Sequence, residues 1–220
     1  MSKQLLWFLI FALTSMLLIS PYNSEAQVAY PQNNHSNILP QSKNIESLKK
    51  VFDKLDKRVN EGKGYQDYLN PDGFPTGALL AWSQSYLMQG YAEMFRATGD
   101  EYYLDKLFEH VKAVMRNRDD FRGQRNWKGD LVPDWGTDRY RKVGDWKHLV
   151  VIAGMITYPM LDFVRLVREY RIERLEEEAE EILSRVKETV DYHNAQWVVQ
   201  ESGFGLYTYD EGYYGISNYV

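Results

Sequence analysis

From Ile45 onward the chain alternates between two hydrophobic patterns. Ile45, Leu48, Val51, Phe52, Leu55 and Val59 recur at intervals of three and four, which predicts an amphipathic helix with a Lys-rich outer face. Glu61-Gly62-Lys63-Gly64 supplies its stop. From about Gly77 to Thr98 the pattern changes. Leu79, Leu80, Trp82, Leu87, Met88, Tyr91, Met94 and Phe95 spread apolar surface around the cylinder, which predicts a helix buried on most sides. Thr98-Gly99-Asp100 then predicts a tight turn, with Gly99 at a left-handed position and Asp100 capping the next helix. That helix, about 100–117, carries a single stripe of Leu104, Leu107, Phe108, Val111, Val114 and Met115.

The plan then recurs. His148 to about Arg168 is apolar nearly all round, with Pro159 predicted to kink or interrupt it. Ile172 to about Trp197 is strongly charged, with a stripe of Leu175, Ala179, Ile182, Val186 and Val190, and its run Glu173 to Glu181 reads as a solvated face. Tyr91 to Arg96 aligns with Met160 to Arg165 at an offset of 69, and Leu104, Val111 and Met115 align with Leu175, Ile182 and Val186 at an offset of 71. The difference falls in the connecting turn, where extra residues cost little. Glu93/Arg96 and Asp162/Arg165 read as the same ion pair in both repeats.

This is an all-α reading of repeated helical hairpins, each a buried helix, a tight turn and a half-exposed helix. Such alternation suggests inner and outer rings. Successive helices reverse direction, so the long connections, about 61–76, 118–147 and 198 onward, share the end that holds the inner-helix N-termini. Long connections are uncommon unless functional, so this end is the expected site.

The first 26 residues have another character. Lys3, the apolar run from Leu5 to Ile19 and the small residues of Ser24-Glu25-Ala26 predict a signal peptide over 1–26. The run is short for a membrane span, so a secreted or periplasmic protein with no stable span after cleavage is expected. Residues 27–43, rich in Asn, Gln, Ser and Pro, read as a flexible spacer, and the folded domain as 44–220.

Composition narrows the chemistry. The net charge of −5, with mixed signs, argues against nucleic acid as a partner. With no Cys, disulfides, thiolate metal sites and Cys nucleophiles are excluded. There are 17 Tyr and 6 Trp, residue types that favour interfaces and ligand sites over plain core packing.

The segment AWSQSYLMQGYAEMFRATGDEYYLDKLFEHVKAVMRNRDD, beginning at Ala81, resembles a unit of the six-hairpin glycosidase-like superfamily, the (α/α) toroids; its TGD-x-YYL turn carries much of the likeness. The resemblance covers roughly 45–200 and implies a toroid and a carbohydrate-active protein, since the superfamily includes glycoside hydrolases, polysaccharide lyases and sugar epimerases. Fold does not choose among them. A full toroid needs about twice as many hairpins, and the sequence stops inside what reads as an inter-hairpin loop. An incomplete toroid is therefore expected, either the N-terminal part of a longer protein or an open arc closed by a partner chain.

The 118–147 loop holds the densest candidate chemistry. Trp127, Trp135, Tyr140 and Trp146 stand among carboxylates and arginines. Aromatic faces stack on sugar rings, and carboxylates and Arg bond hydroxyl or uronate groups. Paired carboxylates are what glycoside hydrolysis needs. Asp134 and Asp145, each beside Trp and Gly, and His148, at the start of an inner helix, are the catalytic candidates. Arg125, Trp127, Trp135, Asp138, Arg139, Tyr140 and Trp146 in the loop, with Trp82, Gln84 and Tyr158 on the inner helices, are the candidates for contacting an oligosaccharide or polysaccharide. Each also has a plainer reading: Asp is a common turn residue, Trp135 and Trp146 can roof a core, and His148 can be a satisfied packing group. Asp72 reads as a turn residue first. His110 and His193 fall on outer helices and read as solvated. No clustered His motif is present, so no metal and no cofactor is expected. Beside the enzyme stand two other readings, a non-catalytic glycan-binding protein and a helical scaffold for protein partners.

Overall fold

In the computed structural model, residues 42–65, 76–139 and 146–207 are described. The expected signal peptide, most of the spacer, Tyr68, Asp72, Tyr140, Asp145 and the Tyr-rich tail from 208 lie outside the described residues. The described chain is mostly helical. Helix α1 spans Ser42–Arg58 and starts within the stretch expected as spacer. Its chain leaves through Asn60, Glu61 and Gly62, all at positive φ.

The first inner helix has three parts: α2 (Gly77–Leu79), a π-helical turn (Leu80–Gln84) and α3 (Ser85–Thr98). Thr76 caps it by accepting from the Leu79 N–H. In the wide turn the Ser85 N–H goes to the Leu80 carbonyl, and the Ser85 hydroxyl donates to Ala81, the carbonyl that an α-turn would have paired with that N–H. Gly99 then takes φ 67° and returns its N–H to Phe95 at 2.8 Å. Asp100 caps α4 (Glu101–Arg116) by accepting from Tyr102, and its other oxygen accepts from Lys49 of α1. The tight turn is thus as expected, with a tie to α1 added.

The second hairpin is α6 (Val150–Glu169), a 3₁₀ turn at Glu173–Leu175 and α7 (Glu176–Asn194); a one-turn helix, α5 (Asp119–Arg122), lies between the hairpins. Pro159 does not break α6, which runs through it with the ring buried. It deprives only Met155 of a helical N–H, and packing on both sides holds the helix together. Helix α6 is long and apolar enough to cross a bilayer, with a mean hydropathy of 1.7. Here its buried face packs on α3 and α7. After Asn194 the chain does not stay helical to Trp197. Strands β1 (Trp197–Val199) and β2 (Gly205–Tyr207) pair antiparallel across a turn with Gly203 at φ 81°, where β-branched Val198 and Val199 favour extended backbone.

Helices α3 and α6 lie side by side, with α4 packed on α3 and α7 packed on α6. Phe108 of α4 stacks on Phe163 of α6 at 5.2 Å, and Phe52 of α1 meets Tyr91 and Tyr103 edge-on. The pairs Arg96/Glu93 and Arg165/Asp162 form as the repeat suggested, and Arg96 also reaches Asp162 across the two inner helices. Two expectations need correction. Leu48, Val51 and Leu55 do not enter the core; they stand exposed on α1, whose contact side is carried by Phe52 and the buried Asp56. His110 is not solvated. It is buried, stacks on Tyr91 at 5.0 Å and bonds Gln84 through Nδ1 at 2.8 Å. An outer helix buries one face, and His110 lies on the buried face of α4 beside Val111 and Leu107.

Burial holds the His110 imidazole below its ordinary pKa and the nearby Lys106 pushes the same way, against weaker opposition from Asp56, Gly62 and Glu109. The unfolded chain therefore binds the proton more readily, so this contribution to stability is intact above the unfolded value of about 6.5 and declines as pH falls below it. Denaturant midpoints measured from pH 7.5 to 5 are expected to fall, and His110→Gln is expected to flatten that slope; an unchanged slope would refute the assignment. Phe163→Ala should cost about 3–5 kcal/mol in the same measurement, and a loss below about 1 kcal/mol would show that the stacked ring is not in the core.

Candidate functional site

The connection from Arg118 to Leu149 is built as a frame around one carboxylate. Asp119 is fully buried. Its Oδ1 accepts from Arg122 Nε at 2.9 Å and Nη2 at 2.7 Å. Its Oδ2 accepts from the Gly136 N–H at 3.0 Å, Trp146 Nε1 at 2.5 Å and His148 Nε2 at 2.8 Å. The His148 contact suits an N–H at Nε2 donating to the carboxylate oxygen. A Cβ at Gly136 would run into Trp146 and the Asp119 carboxylate, so only glycine lets the loop close on this group.

The frame extends to both inner helices. Gly77, the first residue of α2, donates its N–H to Gly136 at 2.7 Å, and a Cβ there would strike the Trp135 carbonyl. Thr137 and Lys147 exchange two backbone hydrogen bonds of 2.8 and 3.0 Å directly before α6. The loop therefore does sit at the N-terminal end of both inner helices. Behind it, the fully buried Arg118 donates to both oxygens of Asp120, to Glu188 and to the Arg185 carbonyl, tying the loop to α7. Partial burial pushes the Glu188 carboxyl up, but Arg118 and Arg185 outweigh it and leave it below the usual range.

The expected site residues divide into two groups. Asp134 is wholly buried and bonds His193 at 2.9 Å; His193, expected as solvated, is buried between Asp134 and Gln196. His148 is buried on Asp119. Trp135 lies in the core with its Nε1 donating to the Val114 carbonyl at 2.8 Å. Gln84 does not line a surface: its Oε1 accepts from the Tyr65 N–H and its Nε2 meets His110. All four serve the frame or the core, because polar atoms withdrawn from water must find protein partners. Asp134 Oδ1 and His148 Nδ1 are the buried side-chain atoms left over from that pairing among the described residues.

The second group faces outward. Trp127 is 41% exposed, with its N–H held by the Trp146 carbonyl at 3.0 Å. Trp146 is half-buried with the Arg122 guanidinium 5.2 Å from its ring. Arg125, Asp138 and Arg139 are exposed. Trp82 is 39% exposed on the π-helical turn, Tyr86 39% exposed one helical turn on, and Tyr158 60% exposed on α6. The inner helices are thus not covered all round. Tyr86 joins the candidates from the structure alone, since its sequence position does not separate it from the core aromatics. Asp119 and Arg118 were also hidden, standing in a polar run with no periodicity to set them apart. Among the described residues no group of three or more His, Asp or Glu is placed to hold a metal ion.

No family model matches the chain, and neither a curated protein nor a solved structure matches it.

Asp119→Asn would remove the charge that the buried Arg122 guanidinium meets on this side and set an amide N–H₂ against donors. It is expected to cost about 3–5 kcal/mol, as loss of one member of a buried pair does. A melting temperature unchanged from the parent would show that the frame does not depend on this carboxylate.

Proposed function

We propose that the protein is an exported, carbohydrate-active protein whose hairpins form part of an (α/α) toroid, and that the described residues supply a glycan-binding face at the loop end of the inner helices. The observation that carries this reading is the pair Trp82 and Tyr86. They stand one helical turn apart and are each 39% exposed, while Ala81, Gln84 and Ser85 beside them are buried. A soluble helix rarely shows adjacent aromatics to water without use, and flat rings at this spacing fit successive sugar rings. Tyr158 on α6 and Trp127 on the loop add further exposed aromatic surface.

Binding is the activity that the described residues support most directly. Asp134 and the pair Asp119/His148 are engaged in the frame, so hydrolysis or elimination would depend on another acid, such as the exposed Asp138. A second reading, a docking scaffold for protein, is favoured by the exposed Leu48, Val51 and Leu55 on α1.

Trp fluorescence titration and affinity electrophoresis against a panel of soluble polysaccharides test the first reading. Binding is expected, and Trp82→Ala or Tyr86→Ala should weaken it by about tenfold, the loss of one stacking contact, with the melting temperature kept. Absence of binding across the panel, or full affinity in both variants, would refute it. Reducing-end and ultraviolet assays on the same mixtures separate turnover by hydrolysis or elimination from binding alone.

A further inference from the structure

Helix α1 has an inward face and an outward face of different chemistry. Its inward carboxylates are used by the body of the fold. Asp53 accepts from the Tyr103 hydroxyl at 2.9 Å and Asp56 from the Tyr91 hydroxyl, while Lys49 reaches the Asp100 cap. Phe52 meets the same two tyrosine rings edge-on. On the outward face Leu48, Val51 and Leu55, at i, i+3 and i+7, form an apolar stripe, 44%, 57% and 54% exposed. Lys50, Lys54 and Arg58, at i, i+4 and i+8, run beside it with Lys57 next to them, and all are exposed. Among the described residues no hydrogen bond or ion pair engages these cations. Glu46 is the carboxylate left exposed among the described residues of α1.

A helix held on one side that presents aliphatic side chains beside unengaged cations on the other has the chemistry of an interfacial helix. The apolar face of such a helix enters the headgroup region and its basic side chains meet anionic headgroups. The size of the stripe decides against a protein partner. Three half-exposed aliphatic side chains fall well short of the roughly 800 Å² that a stable protein interface takes from each side. A lipid surface needs less apolar area, because each basic side chain adds its own attraction to the negative leaflet. The long Lys and Arg stems can lie along apolar surface while their charges reach the headgroups. The geometry points to α1 as a peripheral membrane-docking helix: Leu48, Val51 and Leu55 seat in an anionic lipid surface, and Lys50, Lys54, Lys57 and Arg58 bind its headgroups. This inference does not depend on the glycan-binding reading.

The chain has no Cys, so Leu55→Cys in the full chain takes a single environment-sensitive dye on the stripe. The dye reports on α1 itself rather than on the apolar run from Leu5 to Ile19. Vesicles of phosphatidylcholine alone are compared with an equal mixture of phosphatidylcholine and phosphatidylglycerol. The mixed vesicles are expected to shift the emission to the blue and shield the dye from an aqueous quencher, an effect that weakens as salt rises; phosphatidylcholine alone should do neither. The same dye at Ser184→Cys, an exposed position on α7, should stay open to the quencher throughout. Adding Lys50→Gln and Lys54→Gln, both at exposed positions, should weaken the response to mixed vesicles about twentyfold, the loss of two headgroup contacts, with the melting temperature kept. A dye at position 55 that stays open with both vesicles, or responds equally to both, overturns the proposal. So does a response that the two Gln substitutions leave intact. Shielding that grows with protein concentration in the absence of lipid overturns it in favour of a second copy of the chain on this face.

Discussion

A buried carboxylate is costly unless every lone pair is used, and Asp119 meets that condition by drawing donors from widely separated parts of the chain. Arg122 comes from its own short helix, Gly136 and Trp146 from the loop, and His148 from the threshold of α6. Removing any one leaves charge or polarity stranded in the interior. The loop therefore cannot relax piecemeal. Its closure places Gly136 against Gly77 and so sets the entry of the first inner helix, while Lys147 is paired with Thr137 just ahead of the second. One ionised group thus joins both hairpins at the same end.

The rest of the fold is layered packing on that anchor. Phe108 on Phe163 and Arg96 on Asp162 hold the hairpins together away from the loop. Arg118 performs a related service at the back, where it takes Asp120, Glu188 and a carbonyl of α7. Polar groups in this protein act as connectors between elements that apolar contact alone would leave free to slide. Trp82, Tyr86, Trp127 and Tyr158 are among the aromatic residues that stay exposed once the frame is satisfied.

Local chemistry was legible wherever a local rule governs it. Gly99 and Asp100 behave as turn and cap because a left-handed residue and an N-cap acceptor are decided within a few residues. The ion pairs Glu93/Arg96 and Asp162/Arg165 follow from helical spacing. The site was legible only as a region. The 118–147 loop does lie at the inner-helix N-termini, but which of its Asp and Trp residues turn inward depends on partners far away in sequence. Trp135 found the Val114 carbonyl, Asp134 found His193, and Trp127 stayed at the surface.

The sequence by itself determined the helices, their order, the tight turns and the inside-outside character of most faces, since these rest on periodicity and short-range hydrogen bonds. Tertiary structure decided the fate of the polar residues. His110 and His193 entered the interior, Leu48, Val51 and Leu55 stayed outside it, and the Asp-rich loop turned Asp119, Asp134 and Trp135 inward while Trp127 stayed exposed. Each outcome has the same physical reason. A polar side chain is buried only where the assembled fold supplies its complement, and an apolar one only where the fold supplies a neighbour, and neither is written in the residues next to it.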